Sequence, residues 1–481
     1  MVLEVGGNGL NEKAKILLQN LRYAVSANFF VLGISIVLNL FIPKFIGVKD
    51  YSLWQLYIFY SSYVVFFHLG WLDGIYLKVG GEDYGNLNKR SIGSQFWYFT
   101  IYHFVIASFF IFYAIFFLSD SDRYYILIFT VLNLIIINCR NFIQYILQST
   151  NRIKEYAQIS RGDRYLYVIC VGIYVFFGGD SFKPLMLFDI ISKFCMLLVG
   201  MIKTRDMLFI KLIPLKCSII EIKENIKSGS NLMFSYIAST LILGISRLIV
   251  EHQWSIETFG KLSFTLSISN MFMTFINAVG VVIFPLLRRT NEESLPSLYV
   301  NIRTIFVPVT YGLLLFFVPI KILLAIWLPE YSESLIFMGI LLPMIVYEGR
   351  MALLVSTYLK TIRKERLLLL ANLVTLTITV FLSYIAGFLL KNIYLTILVI
   401  LISLAFRCIF TEKILLNVMK IRIGRITIYE TILTSIFVIS NVFLTQSISF
   451  ILYASLFLGY LIAYRRKIKK SAKILYMYVK K

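Results

Sequence analysis

Arg140, Arg247, Arg350 and Arg407 each stand inside a long run of apolar residues. A guanidinium stays charged, and its planar fork donates two parallel hydrogen bonds to a carboxylate or a phosphate. A charge at membrane depth is expensive, so each of these residues needs a partner. Uncharged polar residues accompany two of them. Asn133, Asn141, Gln144 and Gln148 surround the helical face of Arg140. Ser263, Ser267, Asn270, Thr274 and Asn277 recur in steps of four and three beyond Arg247, which puts them on one helical face. Such a stripe on an otherwise apolar helix is suited to another helix or a water-filled cavity, not to lipid. Arg140 and Arg247 are therefore expected to line a cationic cavity able to hold a phosphate group. Arg350 and Arg407 are also within reach of an interface, so cavity lining and snorkelling to a headgroup both stay open for them.

A second set of residues could carry a coupling ion. His68, Asp73, Glu251 and Glu348 lie in or at the ends of apolar runs. Imidazoles and desolvated carboxylates titrate near neutrality and so can pick up and release a proton. His103 reads instead as a satisfied hydrogen bonder. Asp189 and Lys193 are four apart and should neutralise one another. Gly70 and Gly74 are expected to let two helices approach closely.

The chemistry of soluble enzymes is missing. The sequence has no phosphate-binding glycine loop, no HExxH, no nucleophile elbow and no pair of loop carboxylates. The five cysteines are scattered singly, without metal or redox spacing. The expectation is a protein that is not an enzyme, with no cofactor and no metal. Without a nucleotide-binding domain, driving force must come from an ion gradient, the membrane potential or the substrate's own gradient.

The elements that position these residues follow from composition. Of 481 residues, 59% are hydrophobic and 15% charged, and the mean hydropathy is +0.80. Repeated apolar runs of about 20 residues make the chain an all-α polytopic membrane protein with about 14 transmembrane helices. Their expected cores are 23–42, 52–77, 93–118, 124–148, 164–178, 184–202, 231–250, 259–287, 303–326, 334–358, 367–388, 393–416, 426–445 and 447–464. The net charge of +22 would suggest nucleic acid in a soluble chain. Here most Lys and Arg fall in the N-terminal segment, in alternate loops and in the C-terminal tail, so the positive-inside rule accounts for it and places both termini in the cytoplasm. No nucleic-acid partner and no cleavable signal are expected. The basic segment after residue 464 suits an anionic leaflet or serves as a topology anchor. The longest inner loop divides the chain into 1–202, a connector at 203–230, 231–418, and two extra spans with a tail at 419–481. Residues 46–52 and 254–260 occupy matching places in the two halves, as a parallel internal repeat would require.

Three stretches carry a family resemblance. They are IPKFIGVKDYSLWQLYIFYSSYVVFFHLGWLDGIYLKVGG at 42–81, ISRLIVEHQWSIETFGKLSF followed by NAVGVVIFPLLRR, and the segment from Trp327 to Leu373. With them the chain resembles the bacterial oligosaccharide flippases of the Wzx type, in the superfamily that also holds multidrug extruders and lipid II flippases. Relatives often have an Asp before the arginine of the second motif, where this chain has Ser246 before Arg247. The resemblance implies two six-helix lobes in a V around a central cavity, with two further C-terminal helices. It implies a multi-pass protein of the bacterial plasma membrane that carries oligosaccharide linked through pyrophosphate to undecaprenol, for surface polysaccharide assembly. Membrane lipids, a polysaccharide polymerase and chain-length machinery would be its partners. Three other readings stand beside it. A drug or cation extruder should line its cavity with acids, whereas intramembrane arginine here outnumbers the buried acid expected. A polysaccharide polymerase or ligase needs a large outer loop, and the outer loops here are short. A scaffold subunit is the third.

Overall fold

In the computed structural model the backbone is described for residues 6–289, 292–421, 423 and 426–480, and side chains for 33–274, 276, 293–421, 423, 426–475 and 477. Among the described residues there is no β-strand. The helices are α1 (Gly6–Tyr63), α2 (Trp71–Val79), α3 (Lys89–Phe117), α4 (Ser121–Ser149), α5 (Ile153–Phe176), α6 (Phe182–Lys203), α7 (Arg205–Leu208), α8 (Leu215–Gln253) and α9 (Ile256–Arg289). They continue with α10 (Leu295–Leu313), α11 (Phe317–Trp327), α12 (Ser332–Leu341), α13 (Met344–Arg350), α14 (Ser356–Thr361), α15 (Glu365–Tyr384), α16 (Ile393–Val418), α17 (Ile426–Phe443) and α18 (Gln446–Lys480).

Among the described residues, nine helices are long and apolar enough to cross a membrane, or ten if the bent α12–α14 run is one span. The chain is a polytopic helical membrane protein. The shortfall from the expected spans has local causes. The runs 23–42 and 259–287 lie partly outside the described side chains. The run 164–178 belongs to α5, which also carries Arg161, Asp163 and Arg164. The run 52–77 is broken. After α1 the backbone tightens into a 3-10 turn at Val64–His68 and turns left-handed at Leu69 (φ 51°) and Gly70 (φ 82°) before α2 begins. A left-handed leucine costs roughly 1–2 kcal/mol, so its surroundings must hold it there.

Two expected loops are smaller than the sequence suggests. The loop at 43–51 is a single break in α1 at Gly47, whose φ of 73° and ψ of 172° suit only glycine. The loop at 251–258 contracts to Trp254 and Ser255 between α8 and α9. The tenth expected span bends by 50° between Leu341 and Met344, where Pro343 removes a backbone donor.

The chain packs as two compact units, Phe41–Thr240 with Ser255–Gly260, and Met1–Leu40 with Leu241–Trp254 and Lys261–Lys481. In the first, α4 packs against α3 and α6, and α5 against α6. Its core gathers Trp71, Phe96, Phe99, Phe142, Ile143 and Ile146. The first half of α8 docks on α2 backbone to backbone. A Cβ on Gly74 would overlap the Asn225 carbonyl, and one on Gly229 would overlap the Gly70 carbonyl. The expected close approach at Gly70 and Gly74 is thus what the fold uses. In the second unit, α15 packs on α16, α10 on α18, and α12 on both α16 and α17.

Candidate functional site

Four arginines reach the interiors of the two units, and each meets a carboxylate. In the first unit α4 presents Arg140, and its Nη1 donates to Asp163 Oδ2 on α5, both side chains being buried. Along the same face of α4, Asn133 is fully buried with neither amide atom hydrogen-bonded to a described residue, and Gln144 Nε2 is in the same condition. Unmet polar atoms at a buried position mark where a polar guest or water is needed. Asn141 and Gln148 are only partly buried. Asp189 and Lys193 pair at 2.5 Å as their spacing predicts, and Tyr57 donates to the same carboxylate oxygen at 2.6 Å.

The second unit contains a larger cluster. Arg303 on α10 donates to both oxygens of Glu430 on α17, at 2.9 Å each, and through Nε to Glu412 on α16 at 2.7 Å. Arg350, at the end of α13 and 0% exposed, donates from Nη1 to Glu430 at 2.7 Å and from Nε to Cys408 Sγ at 3.1 Å. Its Nη1 lies 3.3 Å from Glu412. Tyr299 donates to Glu412 at 2.7 Å. Two arginines and two glutamates thus balance one another out of contact with water. Such a set is tolerated only when fully paired. The remaining fork, Arg350 Nη2, has no hydrogen-bond partner among the described residues. Immediately after Arg350 the helix widens into a π turn at Met351–Val355, a distortion frequent at working sites.

Near the same segment Arg407 Nη1 lies 3.4 Å from Glu348 Oε1. Glu348 therefore faces Arg407, and Arg350 points to α16 and α17. Arg247, half-buried on α8, donates to Ser263 on α9 at 2.9 Å. Of the stripe beyond it, Ser267 and Thr274 are half-buried and Asn270 is exposed. Thr274 turns its hydroxyl back onto the Asn270 carbonyl at 3.1 Å. The side chain of Asn277 lies outside those described. Glu251, at the end of α8, is buried. His68 and Asp73 meet at the break before α2, with Nε2 and Oδ2 3.8 Å apart. His103 donates from Nδ1 to the Phe99 carbonyl at 2.8 Å, with its ring tilted against Phe99, but its Nε2 is buried without a hydrogen-bond partner among the described residues, so it is only half satisfied.

The structure thus brings Arg350 to a site with Glu412 and Glu430, Arg407 to Glu348, and Arg140 to Asp163. It corrects one expectation. Buried arginine does not outnumber buried acid, because Arg140, Arg303, Arg350 and Arg407 stand against Asp73, Asp163, Glu251, Glu412 and Glu430 among the described buried residues. Charge balance in the interior therefore does not disfavour an extruder. The sequence reading missed Asp163, just before the expected span 164–178, and in the second unit Arg303, Glu412 and Glu430. The glutamates stand within the expected spans 393–416 and 426–445, and Arg303 opens the span 303–326, so the cost of a buried charge applied to them too. Among the described residues no group of His, Cys, Asp and Glu is placed to hold a metal ion.

No family model matches the sequence, and no curated protein matches it. Solved structures do. The lipid II flippase MurJ in its inward closed conformation superposes with a TM-score of 0.65 over 93% of this chain and 99% of its own, at 15% identity. An inward-facing multidrug resistance MATE family transporter of the MOP superfamily gives 0.63 over 83% of this chain and 99% of its own, at 10% identity. A MATE protein in its straight conformation gives 0.53 at 11% identity, over 83% and 96%. The likeness is one of fold. This chain has the polytopic helical architecture of those two groups of membrane transporters.

Proposed function

We propose that this chain flips undecaprenyl-pyrophosphate-linked oligosaccharide from the inner to the outer leaflet by alternating access. The observation that carries the proposal is the extent of likeness to the lipid II flippase, 93% of this chain against 83% for the multidrug transporter. A lipid-linked, pyrophosphate-bearing substrate also suits the residues. The headgroup cannot cross hydrocarbon bare, and Arg247 with Ser267, Asn270 and Thr274, and the polar face of α4 around Arg140, Asn141 and Gln144, would replace its water. An inside-negative potential favours outward movement of an anion by about 2.3 kcal/mol per charge per 100 mV. In this reading the halves 1–202 and 231–418 rock against each other, both termini are cytoplasmic, and a polymerase with chain-length machinery receives the product.

The test is reconstitution of the full chain in vesicles with a fluorescent lipid-linked oligosaccharide. Protein-dependent exposure of the label to an outside quencher is expected. Absence of exposure in vesicles holding folded protein overturns the reading. A multidrug or cation extruder is the second reading, favoured by the MATE likeness and the buried acids. Transport of an organic cation in the same vesicles, without lipid movement, would establish it.

A further inference from the structure

The break before α2 combines features that the transport reading does not absorb. Gly70 N–H donates to His68 Nδ1 at 2.9 Å, which fixes the left-handed turn at Leu69 and Gly70. That bond needs an unprotonated Nδ1. An imidazolium would set a second N–H against the Gly70 amide. While the turn stands, His68 is therefore neutral, with Nε2 facing Asp73 Oδ2 at 3.8 Å. Asp73 is 7% exposed, and among the described residues no lysine or arginine lies within ion-pair distance of it. The other titratable groups around the pair are uncharged or engaged elsewhere. His103 on α3 neighbours His68, Tyr145 on α4 neighbours Asp73, and Tyr76 on α2, Tyr156 on α5 and Tyr236 on α8 surround Tyr145 in turn. Glu221 on α8 is held by Lys78 at 2.6 Å and by Ser91, and Lys223, Glu224 and Lys227 are exposed. α8 lies directly against the base of the Asp73 side chain, because a Cβ on Gly229 would meet the Asp73 Cβ as well as Gly70 and Gly74.

A carboxylate without a cation is costly in such a place, and a carboxylic acid is not. We propose that Asp73 is a proton-binding site whose cover is the first half of α8: it holds a proton while α8 is docked, and loses it when α8 lifts from α2. His68 shapes the turn that presents Asp73, and the contact of Gly229 with the Gly70–Gly74 segment is the lid. A proton taken up at Asp73 thereby favours one position of α8. The site would supply a coupling proton if the transport reading holds, but the proposal is tested without any substrate, so the two fail separately.

The experiment is hydrogen–deuterium exchange of the full-length protein in lipid nanodiscs, read on peptides from 215–230 and corrected for intrinsic rates. Linkage through one proton shifts docking by up to about tenfold per pH unit, so the wild-type segment opens as pH rises. Asp73→Asn keeps the shape and cannot ionise; it should hold the segment closed and remove the pH dependence. Gly229→Ala forces a methyl onto Gly70 and should open the segment at every pH. If Asp73→Asn does not reach the membrane, Asp73→Ser is read in its place. A pH dependence as steep in the Asp73 variant as in wild type overturns the proposal, and so does wild-type exchange that ignores pH.

Discussion

Arg303 and Glu430 stand 127 residues apart in the chain and face each other through two parallel hydrogen bonds of 2.9 Å each. One is on α10 and the other on α17, so the pair ties the penultimate helix to the body of the second unit. Removing one partner from a buried ion pair strands the other and costs about 3–5 kcal/mol, whereas replacing both by apolar residues of similar volume is often neutral. Glu430→Gln and Arg303→Met should each lower the thermal midpoint of the detergent-solubilised protein. Arg303→Met combined with Glu430→Leu should lose less than the sum of the two. Full additivity would show that the pair is not coupled.

Arg140 separates a structural role from a substrate role. Arg140→Ala leaves Asp163 buried without its cation and should reduce the amount of protein in the membrane. Arg140→Gln with Asp163→Asn is neutral as a pair and should restore that amount. If Arg140 also contacts pyrophosphate, the double variant still fails to flip lipid-linked substrate in vesicles. Full activity of the double variant would confine Arg140 to a structural role.

Backbone contact between α2 and α8 leaves no room for a methyl group. Gly74→Ala places a Cβ into the Asn225 carbonyl, and Gly93→Ala places one into that of Met207. Both should cut the yield of folded protein, measured as the monodisperse peak in size-exclusion chromatography. Gly85→Ala, where a Cβ meets nothing within 4 Å, should not.

Outside the spans, Glu155 in the first turn of α5 accepts from Arg152, which also lies over the Tyr84 ring at 4.2 Å. The Arg152 hydrogen bonds hold the Glu155 carboxyl below its usual range. The sign follows from linkage. A carboxyl depressed on folding stabilises above its unfolded titration, at about pH 4.3, and that contribution fades as pH falls through the folded value. Glu155→Gln should therefore flatten the acid limb of the stability profile and leave the limb above neutrality unchanged, as read by thermal melts across pH.

Much of the architecture was legible because membrane helices need long apolar runs whatever packs around them. The Asp189–Lys193 pair followed from local spacing in the same way. The break at Leu69 and Gly70 did not, since Leu-Gly is unremarkable in an apolar helix and the bond from the Gly70 N–H to His68 Nδ1 that holds the turn forms only once the chain has bent there. The partners of Arg350 were hidden for another reason. Glu412 and Glu430 are brought to it by tertiary packing, and spacing along the chain says nothing of that. Only the cost of an acid in an apolar run pointed to them, and weighing the arginines alone left it unused.

The position of Glu430 also sets an order of events during synthesis. Membrane chains are made from the N-terminus, so Arg303, Arg350 and Glu412 are all present before Glu430 emerges. Until then the buried cluster has one positive charge too many, and the second unit cannot close around it at low cost. A chain that stopped short of α17 would keep that surplus charge, and its second unit would close only at a cost that the full chain does not meet.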